Sequence, residues 1–174
     1  MIEDERTVPS GEVIVGVDGS AGANAALLWA AAEARLRETR LRVIHAWRFS
    51  YVEVAGYGWG GSVEVLPRTG MSDLHHAAEG VLDQAAAHLA SAGFDVDLEC
   101  EAVEGAPAEV LVRAAKEGDL LVVGSRGHGG FVGLLLGSVS QQCAHHAPCP
   151  VVIVHAPQRA AHHDNAGSKR GAAA

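Results

Sequence analysis

Gly124-Ser-Arg-Gly127-His-Gly129-Gly130-Phe-Val-Gly133-Leu-Leu-Leu-Gly137-Ser138-Val139-Ser140 follows directly on the aliphatic run Leu120-Leu-Val-Val123 and leads into a helix-like stretch ending near His146. A short apolar run, a glycine-rich turn and a helix start form one strand-turn-helix unit. Glycines at such a turn let the backbone take positive φ and approach a ligand with no Cβ in the way. Ser138 with Gln141 three residues on has the spacing of a capping box, and its hydroxyl and the helix N-terminal amides could receive an anion.

The same alternation extends in both directions. Val13 to Val17 reads as a first strand, and Gly22 to Glu38 as a helix because Ala25, Leu28, Trp29, Ala32 and Leu36 recur at three- and four-residue steps. Leu41 to Trp47 is a second strand. A helix from about Asp73 to Ser91 carries Leu74, Ala78, Val81, Leu82, Ala85 and Leu89 on one face, and Gly93 ends it. Val96 to Val103 alternates apolar and charged residues, as suits a sheet edge with one wet face. Pro107 opens a third helix running to about Glu117. Leu120–Val123 is the fourth strand, Ser138–His146 the fourth helix and Val151–Val154 the fifth strand. Strands alternating with helices predict a single α/β domain over residues 11–156, with a five-stranded, mostly parallel sheet flanked by helices on both faces. Residues 1–10 are expected to be a flexible N-terminus and residues 157–174 a disordered tail. Residues 49–72, with five glycines and four of the eight aromatics, are too long for an ordinary connection and read as a loop that packs over something.

The chain has 174 residues, 48% of them apolar, and a net charge of −8. That balance disfavours nucleic acid and anionic membranes, which want a basic surface. The charge is uneven, however: 20 of the 21 acids lie in residues 1–119, and no carboxylate side chain occurs between Asp119 and Asp164. The glycine stretch therefore lies in an acid-free zone, with Arg126 and His128 as nearby donors. No apolar run is long enough for a transmembrane helix and the acidic start is unlike a signal peptide, so a cytoplasmic protein without a membrane partner is expected. Cys100, Cys143 and Cys149 suggest no disulfide framework and are expected to be free, mostly buried thiols.

Taken alone, a glycine cluster is more often a plain turn with an ordinary helix cap. A P-loop is excluded because no Gly-Lys-Ser/Thr follows, and a dinucleotide fingerprint fails because these glycines come late and at the wrong spacing. The arrangement Gly124-x2-Gly127-x9-Gly137-Ser138, however, resembles the ATP-binding signature of the universal stress protein family. Around it stand Val17-Asp18-Gly-Ser20 and His45-Ala46 at strand ends, Val103-Glu-Gly105 before the third helix, and Cys149-Pro-Val-Val-Ile-Val154. The resemblance implies strand order 3-2-1-4-5. Asp18 and the Gly124 loop would then flank the crevice where open α/β sheets bind ligands.

Carried over residue by residue, the resemblance assigns Asp18 to the adenosine end of ATP. Val17, Ala46 and Val103 lie at the strand ends that box the adenine, Ala46 using backbone atoms, and Gly16 is assigned to the nucleotide site with them. Gly124, Gly127, Gly129, Gly130, Gly137, Ser138, Val139 and Ser140 match the phosphate segment, within which Ser125, Arg126 and His128 occupy variable positions. Mg²⁺ or Mn²⁺ is expected on the phosphates, with Asp18 the plausible protein carboxylate, although Asp-Gly-Ser is equally a turn signal. The paired histidines His75-His76, His145-His146 and His162-His163 make poor zinc sites, since adjacent helical residues diverge. His45 reads as a structural histidine. Val151–Val154 would be an uncovered apolar edge, which the family covers by pairing the last strands of two protomers, so a homodimer is expected. The leading expectation is a nucleotide-responsive regulator in stress response. A slow ATP hydrolase using the same crevice and a dimeric interaction module without nucleotide are the alternatives.

Overall fold

A computed structural model describes residues 11–48, 70–127 and 136–156. Its elements are β1 (Val13–Gly16), α1 (Ala21–Arg37), β2 (Leu41–Trp47), α2 (Gly70–Ser91), β3 (Leu98–Glu104), α3 (Pro107–Ala114), β4 (Leu120–Gly124), α4 (Ser138–His146) and β5 (Val151–Val154). The strands form one parallel sheet in the order β3-β2-β1-β4-β5. The expected α/β class and strand order are both observed. The expected flexible terminus, the C-terminal tail and most of the aromatic loop lie outside the described residues.

Helices on both faces explain why β1 and β4 are continuous apolar runs. Val13, Val15, Leu41, Val43 and Val122 pack under α1 and α2, while Ile14, Ile44, Leu121 and Val123 pack against α3 and α4. The edge strand β3 has no fully buried residue. Its wet face instead carries a charge ladder: Arg42 donates to Glu101 Oε1 at 2.6 and 3.0 Å, and Arg40 donates to Asp97 and Glu99, each at 3.1 Å. Among the described residues no helix is long and apolar enough to cross a membrane.

Three expectations need correction. Helix α1 exists, but the stripe that identified it is not the one it buries. Its buried face is Gly22, Ala23, Ala26, Leu27, Ala30, Ala31 and Ala34, whereas Trp29, Ala32 and Leu36 are exposed. Small side chains let the helix axis approach the sheet, so the alanines go inside. Helix α3 ends at Ala114, three residues early, because Lys116 N–H donates to Asp119 Oδ2 at 2.8 Å and turns the chain into β4. Of the thiols only Cys143 is buried; Cys149 is half-buried and Cys100 exposed, because β3 is an edge.

Candidate functional site

At the C-terminal ends of the strands, where β1 and β4 diverge in their connections, the described residues enclose a cleft of about 350 Å³. That is within the range of small-ligand pockets, roughly 300–1,000 Å³. One side is apolar: Ile44 and Ala46 from β2, Val123 from β4, Pro107 and Leu111 from α3. The other is polar: Asp18, Ser20, Arg126, Gly127, Gly137, Ser138 and Ser140.

The polar side begins with the β1-α1 turn. Val17 N–H donates to Ile44 O at 3.0 Å and the Val17 carbonyl lies 2.7 Å from His45 Nδ1, so the end of β1 is tied to β2 from both sides. His45 is therefore structural, as its position in the sequence suggests. Asp18 Oδ1 accepts from Ser20 N–H at 3.0 Å, Gly19 supplies the positive φ of 81°, and Ser20 caps α1 by accepting from Ala23 N–H at 3.2 Å. The Asp-Gly-Ser tripeptide is thus a turn and a cap at once, and it presents Asp18 to the cleft.

The glycine segment is built differently from its sequence reading. None of Gly124, Gly127 and Gly137 has positive φ. Gly124 is required by a backbone contact instead: a Cβ there would come within 2.7 Å of the Gly22 carbonyl carbon and 3.0 Å of Ala23 N, at the first turn of α1. Gly22 in turn faces the Arg126 carbonyl oxygen, and a Cβ on Gly127 would collide with Asp18 Oδ2. Glycines here bring two polypeptide segments together, which in turn brings Asp18 to the loop.

The far end of the segment is tied to its beginning. Gly137 N–H donates to Ser125 O at 2.8 Å, and Ser140 Oγ lies 3.2 Å from the same carbonyl and 2.9 Å from Gly137 O. Ser140 is buried with its hydroxyl committed to these carbonyls, so it shapes the loop rather than offering a free donor. The expected capping box is displaced by one residue. Gly137 is the N-cap, no side chain caps the helix, and Ser138 is an exposed first-turn residue. The box fails because Ser140, not Gln141, occupies the third helical position. Helix α4 therefore opens into the cleft with amides uncovered by a capping side chain, a favourable place for an anion.

Gly16, Val17, Asp18, Ala46, Gly124, Arg126, Gly127, Gly137, Ser138, Val139 and Ser140 all line the cleft. Ser125 is buried behind it. Val103 pairs with Ala46 and packs into the core beside α3 without lining the cleft. His128, Gly129 and Gly130 lie outside the described residues. Sequence reasoning missed Ser20, Ala23, Ile44, Pro107, Leu111 and Val123, most of which look like ordinary core or cap residues. As for a metal, no group of three or more His, Cys, Asp or Glu residues converges among the described residues.

Comparison with known proteins agrees with this architecture. A family model described as the universal stress protein family matches residues 10–155. The universal stress protein Rv2005c of Mycobacterium tuberculosis is 37% identical over 153 residues, covering 86% of this chain and 48% of that protein. The chain spans about half the length of the curated relatives it matches. Among solved structures, a universal stress protein in complex with cAMP is 28% identical with a TM-score of 0.58, covering 84% of this chain and 98% of that one. The fold is also that of the universal stress protein from Archaeoglobus fulgidus in complex with dAMP, 22% identical with a TM-score of 0.54 over 83% of this chain and 97% of that one.

Proposed function

The chain belongs to the universal stress protein family, and from that premise we propose that its cleft binds an adenine nucleotide, ATP in the first instance, and that occupancy regulates a stress response. The observation that carries this reading is the pairing of an apolar wall with an uncapped helix N-terminus in one cleft at the sheet's switch point. Ile44, Ala46, Pro107 and Leu111 suit the faces of a purine, which has little to gain from charged neighbours. The first turn of α4, Ser138 and Arg126 suit phosphate oxygens, and the acid-free sequence between Asp119 and Asp164 adds no repulsion. A cAMP complex of a 28% identical relative supports an adenine ligand of this general size.

Mg²⁺ or Mn²⁺ would arrive on the phosphates, where it neutralises their charge, with Asp18 the carboxylate among the described lining residues. Because Asp18 is the single carboxylate of the described lining, most of the ion's ligands would come from the nucleotide and water. The working protein in this reading is a cytoplasmic homodimer paired through Val151–Val154, each of which is half-buried at the end of the sheet. Regulation is favoured over catalysis by the cleft's make-up: its described lining offers a single carboxylate, held in a turn, and no histidine.

Equilibrium binding of labelled ATP to the purified chain tests the proposal, with cAMP, AMP and ADP as competitors. Saturable binding that Gly127→Ala weakens is the expected result. Absence of binding by all four nucleotides would overturn it.

A further inference from the structure

Helix α1 has two apolar faces. The inner one is built of alanines and Leu27 and is buried against the sheet. The outer one carries Ala25, Trp29, Ala32 and Leu36, with Trp29 37% and Leu36 78% exposed. A continuous apolar stripe on the solvent side of a helix is unusual for a soluble domain, where large apolar side chains scatter singly.

The spacing of the stripe identifies its partner. Its four residues are separated by four, three and four positions, the a/d repeat of a helix seam, so the surface that fits it is another helix. The sizes alternate as well: small, large, small, large. We propose that α1 is a self-association surface whose occupant is α1 of a second copy of this chain, packed antiparallel about a two-fold axis. In that register Ala25 stands opposite the partner's Leu36, and Trp29 stands opposite the partner's Ala32. Every large residue meets a small one, as knobs-into-holes packing requires, and the contact is self-complementary, as a two-fold interface must be. A parallel pair would set Trp29 against Trp29 and leave a gap at the alanines.

The flanking charges agree. Glu33 and Arg37 pair within the helix at 2.7 Å, and in the antiparallel register Glu33 is level with Leu28, and Arg37 with Asn24, so no like charges face one another. Four side chains per helix cover less than the roughly 800 Å² per partner of a standard stable interface. The contact is therefore weak and concentration-dependent. It is separate from any pairing of β5, and it does not rest on nucleotide binding.

Cysteine cross-linking tests it, in the full chain with Cys100→Ser to remove the exposed native thiol. Residues 25 and 36 of one helix are about 16 Å apart, too far for a disulfide within the chain. Under mild oxidation the Ala25→Cys/Leu36→Cys double variant should form a covalent dimer. Neither single variant should, because its two cysteines stand at opposite ends of an antiparallel pair. Sedimentation equilibrium of the otherwise wild-type chain should show association that Leu36→Glu weakens at least tenfold, with the circular dichroism spectrum unchanged. Cross-linking by the single variants would mean a parallel pair and overturn the proposal. So would a double variant that stays monomeric on a non-reducing gel, including one that still dimerises in solution, since the dimer would then be held elsewhere.

Discussion

Asp18 and Gly127, more than a hundred residues apart in sequence, touch so closely that the Asp18 carboxylate fills the place where a side chain on Gly127 would begin. The contact joins the β1-α1 turn to the loop after β4 and so sets the width of the cleft between them. Asp18 cannot easily withdraw, because its other oxygen accepts from Ser20 N–H. Gly127→Ala should therefore displace the loop rather than the carboxylate. Overpacking of this kind costs about 1–3 kcal/mol, and titration calorimetry should show ATP affinity reduced about tenfold or more. Unchanged affinity would mean that the Asp18 contact does not shape the site.

Ser138 and Ser140 are two residues apart and should respond oppositely to removal of their hydroxyls. Ser140→Ala breaks the tie to Ser125 and Gly137 and should lower unfolding stability by about 1–2 kcal/mol. Ser138 is exposed and caps nothing, so Ser138→Ala should leave stability within about 0.5 kcal/mol of wild type while weakening ATP more than adenosine. Denaturant titration and calorimetry on the same two variants separate the effects.

The apolar wall can be tested at Gly16. A Cβ there would come within 2.7 Å of Leu111 Cδ1, and larger side chains would fill the space beside Leu111 in the cleft. Gly16→Val should cut adenosine affinity at least tenfold and leave inorganic triphosphate binding nearly unchanged. Equal losses for both ligands would show that the base does not lie against Leu111.

Cys143 supplies a pH signature of folding. Burial pushes its thiol up to about 11, with neighbouring Cys149 adding to the shift. An unfolded thiol ionises near 9, so the unfolded chain loses this proton first as pH rises. The contribution to stability is complete below pH 9 and is lost as pH approaches 11. Urea midpoints measured from pH 8 to 11 should fall across that window, and Cys143→Ala should flatten the fall. In native protein at pH 8, an alkylating reagent should reach exposed Cys100 well before buried Cys143.

Much of the fold was legible because its physics is periodic. Val13–Gly16 and Leu120–Gly124 are covered on both faces and read as unbroken apolar runs, while Val96 to Val103 alternates because its strand is an edge. The reading went astray where size matters more than hydrophobicity. In α1 the alanines approach the sheet and the larger Trp29 and Leu36 stay outside, a choice that periodicity alone does not reveal. Within the site, the positions of Gly124, Gly127 and Gly137 were visible, but not their reason. Gly124 and Gly127 accommodate the backbone of α1 and the side chain of Asp18, contacts that span a hundred residues and leave no local mark, while Gly137 meets only the nearby Ser125, Arg126 and Ser140 at ordinary contact distance. Ile44, Leu111 and Val123 were missed because a residue lining an apolar wall has the same signature as one in the core.

Ser125 gives the site a mechanical neighbour. Its N–H donates to the Val154 carbonyl at 2.7 Å, and its own carbonyl receives Gly137 N–H and the Ser140 hydroxyl. One peptide unit on each side of this residue thus holds the outermost strand and the opening turn of α4. A force that shifts the helix start must load the bond to the strand, and a neighbour that grips the strand stiffens the seat of the helix. The rim of the sheet and the mouth of the cleft consequently share a point of leverage, the backbone of one buried serine.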